Sequence, residues 1–68
     1  MSIRAAAQMF VAGKASLTIP AMLALRVDPD GPDAGLGEKL LELTERAQAG
    51  TISDADAKRH VAALLVVF

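Results

Sequence analysis

The stretch "GLGEKLLELTERAQAGTISDADAKRHVAALLVVF", Gly35 to Phe68, constrains this chain more than any other feature. Leu36, Leu40, Leu43 and Ala47 step by four, three and four, which places them on one seam of a helix. Gly50 suits the C-terminal cap of that helix. Ser53 with Asp56 three residues later opens the next one as a weak capping box. Asp54 and Asp56 also favour a helix N-terminus through the helix dipole. Ala57, Val61, Leu64, Leu65 and Phe68 then recur on one face, while Ala62, Ala63 and Val66 cover the opposite face. Two amphipathic helices joined by so tight a turn bury their seams against each other. The reading is a helical hairpin over about residues 34–68.

From Val61 onward the second helix is apolar all round, and a hairpin partner covers only one side of it. Either the N-terminal segment or another chain must cover the other. The final Val66 to Phe68 also reads as an extended strand added to a partner sheet, and that alternative stays open on sequence alone.

Residues 1–27 form an apolar, basic N-terminal segment. A first helix is predicted at about Ser2 to Ala12, capped by Ser2 and ended by Gly13, with Ile3, Ala7 and Phe10 on one face. Pro20 is tolerated only in a first helical turn and disfavours the helical conformation at Ile19. This predicts an extended Leu17 to Ile19 followed by a short helix at about Pro20 to Val27, apolar nearly all round and so buried on more than one side. Asp28 to Gly35, "DPDGPDAG", is the linker between the two segments. Its acids imitate a calcium loop but miss the pattern. Asp33 stands where the loop needs glycine, and Lys39 where it needs a bidentate Glu.

The expected fold is all-α, three to four short helices in one domain of 68 residues. At that size a single core is barely sufficient, and the absence of cysteine removes disulfide staples and thiolate metal sites. Fourteen alanines and only two aromatic residues, Phe10 and Phe68, make the apolar surface wide but shallow. A partner surface is therefore expected to complete the core, with the chain an oligomer or part of a larger complex.

Net charge is −1, with few basic residues and no interleaved aromatics, which argues against a nucleic-acid surface. Residues 1–27 hold Arg4, Lys14 and Arg26 and no acid, whereas residues 28–68 hold all eight acids. The two halves are charge-complementary, within the chain or between copies, unless the three cations are simply solvated. Gln8 and Lys14 interrupt any signal-peptide core, and the longest uncharged run is too short to span a bilayer. The segment also matches an amphipathic transit peptide in composition, and it makes a weak interfacial helix, so a membrane is an unfavoured partner. The expected location is the cytoplasm or an assembled particle.

From Leu36 to Leu65 the chain resembles the short C-terminal domain family (SHOCT), whose leucines precede a Gly-x-Ile-Thr-x-x-Glu-Phe turn and a leucine pair. Leu40, Leu43, Gly50, Ile52 and Leu64–Leu65 match, with Ser53 for Thr and Asp56 for Glu. Ala57 stands in place of the family's Phe, and Arg46 in place of its last leucine before the turn. The resemblance covers about 30 residues and implies a helical hairpin used for oligomerisation or protein contact.

Catalytic constellations are not evident. His60 is the single histidine, there is no Cys or Tyr, and Glu38, Glu42 and Glu45 read as a solvated face with Lys39 and Arg46. No cofactor or metal is expected. The expected function is a structural or assembly subunit, as in a virion or other multisubunit particle, with a small regulator docking on one protein as the alternative. The residues expected at the protein interface are Val61, Leu64, Leu65, Val66, Phe68, Leu41, Met22 and Leu25.

Overall fold

A computed structural model covering Met1–Phe68 contains four helices and no strand: α1 (Ile3–Val11), α2 (Thr18–Ala24), α3 (Ala34–Gln48) and α4 (Asp54–Val67). The all-α class and the C-terminal hairpin stand as read from the sequence. α2 and α4 each pack against both α1 and α3. Ile3, Ala7, Phe10, Ala24, Leu36, Leu40, Leu43, Ala57 and Val61 form one continuous buried cluster. Every helix contributes to it, so the two halves of the chain share a single core.

The helix ends follow local chemistry. The Ser2 hydroxyl accepts from the Ala5 amide at 3.0 Å, and the Ser53 hydroxyl from the Asp56 amide at 3.1 Å, each satisfying an otherwise free donor of a first turn. The Asp56 carboxylate turns away to pair with Arg59, so only half of the capping box forms. Gly13 and Gly50 adopt φ of 77° and 75°, the left-handed region that costs glycine least. Just beyond them the Lys14 amide reaches the Met9 carbonyl at 2.8 Å and the Thr51 amide the Arg46 carbonyl at 3.0 Å. Both are Schellman closures, and they end α1 and α3 sharply.

Three expectations are corrected. Leu17 to Ile19 are not extended: Leu17 is already in the right-handed helical region, and Pro20 is the third residue of α2. A proline there still lies in the first turn, where its missing N–H has no helical acceptor to lose. α2 also ends earlier, at Ala24, with Leu25 and Arg26 in a turn rather than in a helix reaching Val27. Nor is α2 buried on more than one side; Pro20, Ala21 and Ala24 face inward, while Met22 and Leu25 are exposed.

The apolar tail is helical through Val67, and the Phe68 amide closes on the Leu64 carbonyl at 2.9 Å. Leu64 and Leu65 are packed from within, while Val66 and Val67 stay exposed. α1 lies along the side of α4 that α3 leaves open, and the Arg4 guanidinium donates to the Leu65 carbonyl at 3.1 Å. That bond satisfies one of the four acceptors orphaned at the end of α4. In the linker, the Asp28 carboxylate accepts from the Asp30 amide at 3.0 Å and the Asp28 carbonyl from the Gly31 amide at 2.9 Å. Of the linker's acids, the Asp28 carboxylate serves the turn.

Candidate protein-interaction surface

The eight residues expected at an interface fall into three groups. Val61 is corrected outright: it is fully buried, at 0% exposure, held between α1 and α3. It supports the core and is presented to nothing. Leu64 and Leu65 are half-buried against the same core. Val66 is 87% exposed, and Phe68 is partly exposed with its ring lying over Gly35 at the start of α3. Met22 on α2 and Leu25 in the turn just after it form a separate group, 51% and 73% exposed, with the half-buried Leu41 of α3 beside them.

The α2 group is the more developed surface. Between α2 and α3 lies a hollow of about 280 Å³ walled by Met22, Leu25 and Leu41 and floored by Ala21, with Thr18, Thr44, Glu45 and Gln48 around it. On the other flank of α2 a second hollow, about 290 Å³, is lined by Met1, Ile19, Met22, Leu23 and Arg26. Met22 belongs to both, so it stands as a ridge with a hollow on either side, the one toward Leu23 mostly apolar and the one toward Leu41 half polar. Ile19 and Met1 were not among the residues expected from the sequence. The signal was available: with Pro20, Ala21 and Ala24 turned inward, helical spacing puts Ile19 and Met22 outward together.

A third, polar hollow of about 240 Å³ lies between α3 and α4, lined by Lys39, Glu42, Leu43, Arg46, His60 and Leu64. Lys39 is 3.4 Å from Glu42 within it. His60 has an acid there but no nucleophile, and no three His, Asp or Glu side chains converge as a metal site would need. The other ion pairs, Lys58–Asp54 and Arg59–Asp56, stay within α4. No ion pair joins the basic N-terminal half to the acidic C-terminal half. Arg4 meets a carbonyl instead, and Lys58 lies 5.6 Å from the centre of the Phe10 ring, a cation–π contact. No helix is long and apolar enough to cross a membrane.

No protein-family model matches the chain, and neither the curated proteins nor the solved structures include a match to it.

Proposed function

We propose that this chain is a non-enzymatic structural or assembly subunit that makes protein–protein contacts through apolar helix faces. One observation carries this reading. The core is closed without Met22, Leu25 and Ile19, yet all three are exposed on α2 and the turn just after it, beside two hollows. Large apolar side chains clustered on one face of a small domain mark a contact surface. Scattered exposed leucines need no such account, but a ridge with a hollow on each side has the shape of a surface made to interdigitate.

The test is a photo-reactive phenylalanine analogue placed at Met22 or Leu25, and as control at the exposed Glu38 of α3. Illumination in living cells is expected to give discrete cross-linked products at Met22 and Leu25 and none at Glu38. Products absent at both Met22 and Leu25, or equally abundant at Glu38, would overturn the proposal. The mass of the adduct reports whether the captured protein is another copy or a different chain.

A further inference from the structure

We infer that the α2 face pairs with the α2 face of a second copy of this chain, related by a two-fold axis running alongside the Met22 ridge, with Arg26 of each copy meeting Glu45 of the other. This rests on the assembly reading above and names the occupant of that surface.

The argument is one of self-complementarity. A two-fold interface must match itself: every knob on one copy needs a hole at the symmetry-related place on the other. Met22 lines both hollows, Arg26 edges one and Glu45 edges the other, so the two charges lie on opposite sides of the ridge. Rotation by a half-turn about an axis running alongside the ridge, between it and one hollow, exchanges those sides. It sets Met22 of each copy into a hollow of the other and brings each Arg26 toward the opposing Glu45, twice per dimer. Within the chain both groups are exposed, and neither forms an ion pair. A uniformly apolar patch would be indifferent to the occupant; one with an unmatched cation and an unmatched acid at opposite edges is matched by its own copy.

Size sets an upper bound: a whole side of the molecule, 30 × 22 Å at its broadest, is roughly 660 Å² in projection, so a two-fold pairing through part of one side buries less than about 1,300 Å² over both copies and belongs with the small interfaces. The alternatives fit less well. A lipid surface is poorly served by a face with a single cation and an acid in its hollow. The polar hollow beside His60 lacks apolar area for a protein partner.

Charge reversal tests the pairing. Sedimentation equilibrium of the wild type at micromolar concentration is expected to give twice the 7.1 kDa chain mass. Arg26→Glu and Glu45→Arg should each weaken association, about tenfold per contact and so about a hundredfold per dimer, since symmetry repeats each contact. Mixing the two variants should restore the dimer, because both contacts across the mixed interface again join an acid to a base, and the double variant should dimerise alone. Recovery on mixing also shows that neither variant had merely unfolded. Met22→Asp should abolish pairing, and Val66→Asp on the tail should not affect it. A monomeric wild type, a dimer indifferent to both reversals, open chains of higher mass, or a dimer lost with Val66→Asp would each overturn the inference. Cross-links from Met22 to a different protein would overturn it too, while leaving the assembly reading intact.

Discussion

Gly35 and Phe68 offer a sign reversal that tests whether the tail is anchored where the structure puts it. A Cβ added at Gly35 would stand 2.5 Å from Phe68 Cε1 and 3.2 Å from Cδ1. The first distance is a clash, so in Gly35→Ala the ring must leave its seat. Full burial of a phenylalanine contributes about 1.5–3 kcal/mol. Phe68 is 45% exposed, so its seat is worth roughly half of that, about 0.8–1.5 kcal/mol. Against this, alanine favours a helix over glycine by up to about 1 kcal/mol in an interior and less in a first turn, here about 0.5 kcal/mol.

Gly35→Ala should therefore destabilise the wild type by roughly 0.3–1 kcal/mol. In a Phe68→Ala background the ring is gone, and only the helix preference remains. There the same substitution should stabilise by about 0.5 kcal/mol. The coupling between the two sites, about 1 kcal/mol, is within reach of a double-mutant cycle. Urea titrations of the four proteins, followed by far-ultraviolet circular dichroism, measure it. If Gly35→Ala stabilises both backgrounds equally, the ring does not sit on α3, and the account of how the tail is tied down fails.

Gly37 gives the opposite expectation two residues on. A Cβ there would meet Ile3 Cδ1 and Val27 at 3.6 Å, ordinary contact distance, so Gly37→Ala should raise the urea midpoint, by about 0.5–1 kcal/mol of stability. Leu40 is fully buried, and Leu40→Ala should cost about 2–5 kcal/mol. Since a chain of this length holds only about 3–10 kcal/mol in total, thermal melts should show it partly unfolded at room temperature or close to it. Ser53→Ala removes the side-chain cap of α4 and should cost about 1 kcal/mol, measured the same way, with unchanged oligomeric mass.

The hairpin was legible because each of its signals acts locally. Gly50 adopts the left-handed conformation that its position after a leucine seam foretold, and Ser53 caps the next helix through its own hydroxyl. Gly50 and Ser53 make the turn, Leu40 and Leu43 fill the core, and Ile52 packs against it. α2 departs from its expected bounds at both ends, and the reason at its start is equally local. The bias of a residue before proline is a preference, and it yields when the proline falls inside the first turn and the amides there need no partner. Ile19 donates to the Ser16 carbonyl at 3.2 Å, within the turn that starts the helix.

The interaction surface was harder to read, because exposure is set by which neighbour arrives and not by the helix that carries the residue. Val61 and Val66 are chemically alike and five residues apart on α4, yet one is fully buried and the other 87% exposed. Periodicity puts them on different faces but does not say that α1 will cover one and not the other. The answer lies in alanines: Ala6 and Ala7 are fully buried, and side chains that small let α1 lie close along its neighbours. A wide, shallow apolar composition, which argued for a second chain to finish the core, is therefore partly explained within one chain. Close approach of alanine-faced helices replaces bulk. Apolar bulk still faces outward in two places: at the tail, where Val66 and Val67 are exposed, and on α2, the shortest helix, where Pro20, Ala21 and Ala24 face inward and the larger Ile19 and Met22 are turned out. There small residues can seat the helix only by facing the core, so the remaining apolar bulk is left outside, where another protein surface can take it up.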